Sequence, residues 1–358
     1  MYNLNFWSKH MRPHIYYLDP LRLIAAFFVV FMHTVYIGLN TDVARSGDWF
    51  VLAGITSLAF CAVPLFFMIS GFLLTSSDRT SDVCVLLKER LPKLIVPLAF
   101  WSIAILLYRA GSDHSLSGLL PGIMSAIVHP VITPLWFLYL LIVMYATSPV
   151  LCPGLRSLDG KSEIYILALI GILELKSIIF IVFPGFASEH LRLDVFYYLN
   201  IFDSHLCSFI LGWFLGKSKH RIPQPALLCI CAALFGIIFY GTIVSSEAAG
   251  AYCTDFQNQA AGLEVALAAC IFLLFKQSRF WNRKHRLSSA AAGLTYPVYL
   301  MHGAVLITVP LFNTAICGLA ETISIYLFCL AVSWVLSRIP IISYICTGRS
   351  VRRNVKQL

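Results

Sequence analysis

The sequence predicts an all-α, multi-pass membrane protein, a bundle of about ten transmembrane helices with both termini in the cytoplasm. Three observations support this fold. The chain is 59% hydrophobic and only 12% charged, and its mean hydropathy is +0.81. A soluble domain of this length cannot bury so much apolar surface. Apolar runs of membrane-spanning length recur along the chain, and the basic residues collect on one side of them.

Ten apolar runs are long enough, or nearly so, to cross a membrane as helices. We expect them at residues 20–39, 50–74, 94–108, 134–151, 164–183, 196–215, 226–244, 260–275, 290–310 and 322–336, the third and eighth being short. They define a membrane domain over residues 20–337 between an N-terminal tail, residues 1–19, and a basic C-terminal tail, residues 338–358. The basic tail has the composition that binds anionic lipid headgroups.

The distribution of basic residues predicts the orientation. With a cytoplasmic N-terminus, most of the 26 lysines and arginines fall in cytoplasmic segments, whereas the opposite face receives only Arg45, Arg109 and Arg192. The positive-inside rule then places the C-terminus in the cytoplasm as well. This bias accounts for the net charge of +9, so the charge is no argument for nucleic-acid binding. The eleven cysteines show no metal-ligand spacing, so no metal is expected.

Two ionisable residues lie inside the first apolar run. Arg22 and His33 are eleven residues apart, which puts them on one face of a helix and about 16 Å apart along its axis. Charged groups at membrane depth are costly and usually face the protein interior, where they mark function. We therefore expect both side chains to line one cavity, with Arg22 at the cytoplasmic mouth and His33 about 20 Å into the membrane.

A second basic cluster precedes the third run from the same predicted side. Arg90 and Lys93 are three residues apart and share a face if the helix has begun there. Taken alone, such a pair is typical of an interfacial anchor that reaches towards the headgroups. Beside Arg22, it favours a cytoplasmic pocket for a polyanionic ligand.

Seven segments in order resemble motifs of the acyltransferase-3 family of membrane O-acyltransferases, and the resemblance runs from about Tyr16 to Ser337. They are YLDPLRLIA at 17–25 with His33, PLFFMISGFLL at 64–74, RLPK at 90–93 with Pro97, WFLY at 136–139, SPVL at 148–151, FILG at 209–212 with Gly216, and YPVYLMH at 296–302. Lys93 stands where the family has a second arginine, and lysine keeps the charge but loses bidentate phosphate geometry.

The resemblance implies a fold of about ten helices and transfer of an acyl group, commonly acetyl, from cytoplasmic acyl-CoA to a hydroxyl on the far side of the membrane. The acceptors it implies are surface-glycan sugars or their lipid-linked precursors. Neutral histidine is the side chain best matched to accept the hydroxyl proton near neutral pH. We therefore expect Arg22, Arg90 and Lys93 to bind the donor and His33, with Arg22, to be catalytic. His33 could act as the base or carry the acyl group itself.

Other polar and aromatic side chains in the spans are candidates for acceptor binding, with structural roles as their alternative: Asp203, His205, Tyr139, Trp136 and Glu264. The sequence thus predicts an O-acetyltransferase of the bacterial inner membrane, with acetyl-CoA as donor substrate and membrane lipids around it. The alternative function is a transporter or flippase for a lipid-linked sugar or an anionic solute, with Arg22 and His33 as an anion site or proton relay. Transporters commonly carry internal repeats, and the sequence shows none clearly. A non-catalytic scaffold would not need charges at membrane depth.

Overall fold

The structure, a computed structural model, describes residues 14–41, 47–183, 204–309 and 315–348. These residues form helices and connections, and no strand occurs among them. The helices are α1 (Leu18–Thr41), α2 (Gly47–Ala59), α3 (Ala62–Thr75), α4 (Pro92–Ser112), α5 (Leu119–Ser125), α6 (Trp136–Ser157), α7 (Gly160–Val182), α8 (Ser204–Lys217), α9 (Gln224–Ala249), α10 (Gly262–Gln277), α11 (Arg286–Ala292), α12 (Thr295–Leu306), α13 (Ala315–Leu336) and α14 (Pro340–Thr347).

The all-helical, multi-pass character predicted from the sequence is confirmed. Among the described residues, 7 helical segments are long and apolar enough to cross a membrane, with α2 and α3 counted as one: Leu18–Tyr36, Gly47–Thr75, Val83–Ser112, Thr133–Ser157, Gly160–Val182, Gln224–Ala249 and Cys317–Leu336. Helices α8, α10 and α12 coincide with the remaining predicted runs, but they have only 14, 16 and 12 residues. A count of about ten spans and the cytoplasmic side of both termini stay predictions.

Helix α1 lies at the centre of the bundle, where it packs against α2, α3, α11, α12 and α13. Its side chains Leu21, Ala25 and Phe31 are fully buried. The Tyr326 hydroxyl of α13 donates a hydrogen bond to the Leu23 carbonyl at 3.0 Å. Burial on several sides explains how α1 can carry ionisable residues, because they face protein rather than lipid.

Helices α3 and α8 approach each other most closely through glycines. A Cβ atom built on Gly71 would lie 1.8 Å from the Phe209 carbonyl oxygen, and one on Gly212 would lie 2.1 Å from the Met68 carbonyl oxygen. A side chain at either position would force the two helix backbones apart. Small residues let membrane helices bring their backbones together, which explains the glycines in the 64–74 and 209–212 segments.

The segment between α3 and α4 is held by its own turns. A short 3₁₀ turn, Asp78–Ser81, is followed by one wide helical turn, Leu86–Arg90, in which the Leu91 amide donates to the Leu86 carbonyl at 2.9 Å. Such five-residue turns occur often at functional sites. Pro92 then begins α4 at a position where its missing N–H costs nothing.

Part of the predicted C-terminal tail belongs to the fold. Helix α14 packs against α4, and the Trp101 indole donates to the Cys346 carbonyl at 3.1 Å. The helix ends at Thr347, and its C-terminal cap is Gly348, whose φ of +65° suits glycine. A Cβ there would also stand 2.3 Å from the Lys93 carbonyl oxygen. The end of α14 therefore closes against the start of α4.

Candidate functional site

A cavity of about 550 Å³ opens at the end of the bundle where α1, α4 and α12 begin and α3 ends. Arg22, Arg90 and Lys93 all line it. Its remaining walls are mostly apolar or aromatic, with several small polar residues, and include Phe66, Ile69, Ser70, Leu73, Ser77, Phe137, Leu141, Tyr145, Tyr296, Tyr299 and Thr347. The structure thus brings together the three cations that the sequence assigned to donor binding.

Two hydroxyls orient Arg90. Its Nη1 donates to Thr80 Oγ1 at 2.7 Å and its Nη2 to Ser77 Oγ at 3.2 Å. The carboxylate next to it in sequence, Glu89, pairs with Arg79 at 2.8 Å instead. Within the described part of the chain, Arg90 forms no ion pair, so no carboxylate contact neutralises the guanidinium at the cavity wall.

Arg22 lies one turn after Asp19, whose buried carboxylate already accepts a hydrogen bond from Ser289 Oγ at 2.6 Å and contacts His14 Nε2 at 2.7 Å. Among the residues that the structure describes, Arg22 forms no ion pair. Tyr145 lines the same cavity as Arg22 and Arg90. The two guanidinium groups therefore face a shared space in which an anion would gain from both charges.

Contacts to its backbone carbonyl fix the position of Lys93. It lies in the first turn of α4, and its carbonyl accepts a long hydrogen bond, 3.4 Å, from the Tyr296 hydroxyl of α12 while Gly348 packs against it. Three elements, α4, α12 and the end of α14, thus meet at this residue. Its side chain lines the cavity beside Arg90.

His33 lies farther along α1 and is not among the residues that line this cavity, so the expectation that Arg22 and His33 line one cavity is not met. It is partly buried, and its ring centroid is 5.5 Å from that of His302 on α12. The His302 ring is in turn 5.6 Å from the ring of Tyr299, which does line the cavity. The basic cavity and His33 are therefore linked by one turn of α12, Tyr299 to His302.

The predicted acceptor residues are dispersed. Asp203 lies outside the described residues, whereas His205 on α8 is buried, with its ring 5.1 Å from Phe67 and 5.3 Å from Trp136. The Tyr139 hydroxyl donates to the carbonyls of Ala126 at 2.5 Å and His129 at 3.2 Å. Tyr139 lines a separate aliphatic cavity of about 520 Å³. Of the candidates that the structure describes, His205, Tyr139 and Trp136 do not line the basic cavity.

Glu264 is fully buried in the first turn of α10, and neither of its carboxylate oxygens has a hydrogen-bond partner among the described residues. Glu264 does not line the basic cavity, and no hydrogen bond joins its carboxylate to His33 or His302.

The site includes residues to which the sequence assigned no functional role. His302 beside His33 and Tyr296 over Lys93 come from the 296–302 segment, whose i and i+3 spacing puts Tyr296, Tyr299 and His302 on one helix face. That periodicity was the available signal. It could not show which helix the face would meet.

Comparison with known proteins identifies the family. Residues 15–338, nearly the whole chain, match the model of a family described as an acyltransferase domain. No curated protein and no solved structure matched in the corresponding comparisons. The family match confirms the resemblance drawn from the seven motifs. The chain belongs to the acyltransferase-3 family and is a multi-pass membrane acyltransferase.

Proposed function

We propose that this protein is an O-acetyltransferase of the bacterial inner membrane, which takes acetyl from cytoplasmic acetyl-CoA. The acceptor we propose is a hydroxyl of an envelope polysaccharide or its lipid-linked precursor. The observation that carries the proposal is the convergence of Arg22, Arg90 and Lys93 on one cavity. Neither arginine forms an ion pair within the described residues.

The cavity has the chemistry that a CoA thioester requires. The phosphates of CoA need several cations, and arginine is the residue best suited to bind them through paired hydrogen bonds. The apolar and aromatic walls suit the uncharged pantetheine arm. A volume of about 550 Å³ lies within the range of small-molecule sites. The predicted topology puts this mouth in the cytoplasm, where acyl-CoA is found.

The reaction requires a base at the acyl end of the donor. His33 lies on the helix that carries Arg22, about 16 Å farther along its axis, so an extended pantetheine arm must cover that distance. In the proposed step, His33 accepts the proton of the attacking hydroxyl, the new C–O bond forms and the C–S bond breaks. The proton then passes to the CoA sulfur, which leaves as the thiol.

Family membership supports acyl transfer over the transporter alternative. The deciding experiment supplies labelled acetyl-CoA on one face of proteoliposomes and a lipid-linked sugar on the other, and it measures label in the glycan by mass spectrometry. We expect an acetyl mass increase on the acceptor and release of free CoA. Movement of the sugar across the bilayer without any acyl product would overturn the proposal in favour of a flippase.

A matching experiment in cells compares envelope glycans from strains with and without the protein. The proposal expects acetyl mass differences that disappear on deletion and return with the wild-type gene. Return of the acetyl groups with a His33→Ala gene would leave the enzyme class intact but remove the proposed base.

A further inference from the structure

A hydrogen bond within α12 fixes the tautomer of neutral His302. It is fully buried, and its Nδ1 is 2.6 Å from the Tyr299 carbonyl. Because a carbonyl oxygen can only accept, Nδ1 must carry the hydrogen. In neutral His302 the other nitrogen, Nε2, is then a bare acceptor.

The Nε2 atom of His302 is buried and lacks a hydrogen bond among the described residues. A buried polar atom without a partner costs stability, and such atoms are rare in native proteins. The neighbours of His302 in sequence, Leu300 and Met301, are buried apolar residues. If position 302 were needed only for packing, an apolar side chain there would avoid the free-energy cost of a buried polar atom without a partner.

The ring of His33 lies beside His302. The two ring centroids are 5.5 Å apart and the ring planes are inclined by 34°. The rings are not hydrogen-bonded to each other in the structure. With one His33 nitrogen and Nε2 of His302 directed at each other, ring centroids 5.5 Å apart bring the two nitrogens to about 3.3 Å, at the long end of hydrogen-bond distances.

We propose that His302 is a positioning residue for His33, in which Nε2 of His302 accepts a hydrogen bond from one ring N–H of His33. The proposal rests on the function proposed above. Since Nε2 of neutral His302 cannot donate, the hydrogen bond fixes the His33 tautomer. The other His33 nitrogen is left with its lone pair free for the acceptor hydroxyl.

The arrangement has a clear role in the transfer step. When His33 takes the hydroxyl proton and becomes charged, the hydrogen bond to His302 strengthens, because charge-assisted hydrogen bonds are stronger than neutral ones. His302 itself gains and loses no proton. The same turn of α12 also carries Tyr299, whose ring lines the donor cavity and whose carbonyl holds His302. Donor binding and base orientation therefore share one structural element.

The test measures acetyl transfer and acetyl-CoA affinity for His302→Leu and His302→Gln, each in the wild-type and His33→Ala backgrounds. Leucine removes the acceptor, whereas glutamine offers an amide oxygen in its place. We expect His302→Leu to lower kcat about 10- to 100-fold, as the loss of a group that orients a metal-bound histidine does, with unchanged acetyl-CoA affinity. His302→Gln should recover most of the rate.

The double variant separates positioning from packing. If His302 acts through His33, His302→Leu should cause no further loss in the His33→Ala background, because residues that act as a unit are strongly non-additive. A loss of the same size in both backgrounds would overturn the proposal, as would wild-type kcat in His302→Leu. Met301→Leu, a change at the adjacent buried position, serves as the matched control and should keep wild-type kcat.

If His302→Leu does not fold, His302→Met removes the same acceptor with a more adaptable side chain, and the same expectations apply. Full activity of His33→Ala would instead remove the proposed base. An inactive His33→Ala together with a fully active His302→Leu would refute only the positioning role.

Discussion

Replacing Arg90 with alanine tests the donor site most sharply, because the structure supplies both the reason and the control. Arg90 lines the cavity and is oriented by hydrogen bonds to the hydroxyls of Thr80 and Ser77. It forms no ion pair within the described residues. A phosphate would add charge-assisted hydrogen bonds to a group that is already oriented.

The magnitude follows from the bonds lost. A hydrogen bond to a charged group contributes about 1.5–3 kcal/mol, so Arg90→Ala should weaken acetyl-CoA binding roughly 10- to 150-fold. Arg79→Ala is the matched control. Arg79 belongs to the same connecting segment, pairs with Glu89 and does not line the cavity, so its removal should leave the affinity unchanged.

The assay is calorimetric titration of the purified protein with acetyl-CoA and, separately, with acetyl-pantetheine, which lacks the phosphates. The penalty of Arg90→Ala should be present for acetyl-CoA and absent for acetyl-pantetheine. An equal penalty for both ligands would mean that the substitution damages the fold of the cavity. No penalty for acetyl-CoA in a folded variant would refute the assignment of Arg90 to the phosphates.

The remaining predictions concern packing and topology. Gly71→Ala should destabilise the protein by about 1–3 kcal/mol, the usual cost of overpacking, whereas Gly111→Ala, with open space around its Cβ, should be near neutral. Thermal unfolding in detergent measures both, and equal stability of the two variants would contradict the close approach of α3 and α8. Reporters inserted near Ser81 and at the C-terminus should be cytoplasmic, and one near Ser117 should be outside. A periplasmic C-terminus would show that the predicted number of spans is wrong.

The features that sequence could predict are those that lie within one helix. The shared face of Arg22 and His33 follows from helical periodicity alone, because both residues belong to α1. The membrane character follows from the apolar runs, and the family follows from motifs spread along the chain.

Features that depend on packing between helices were beyond reach. Spacing could suggest that Arg90 and Lys93 share a face, but only the fold brings that face to Arg22. Tyr139 was a candidate for acceptor binding, yet its hydroxyl bonds to backbone carbonyls of the connection between α5 and α6. The pairing of His33 with His302 joins residues 269 positions apart and depends on how α12 packs against α1.

The C-terminal segment shows the same limit. Its charges indicated a tail, but α14 packs against α4. The Trp101 indole donates to the Cys346 carbonyl, and Gly348 lies against the Lys93 carbonyl. Hydropathy describes single segments, so it did not indicate that a short helix after the last span would pack beside the basic cavity.

Acetyl transfer by His33→Ala and His33→Gln, measured with acetyl-CoA affinity on the same preparations, tests the central claim most directly. General-base assistance contributes about 10²- to 10⁴-fold, so His33→Ala should lose at least that order of turnover while it binds acetyl-CoA as the wild type does. Glutamine can form hydrogen bonds but cannot take up the proton, and it should be nearly as impaired. Normal turnover by folded His33→Ala protein would contradict the account.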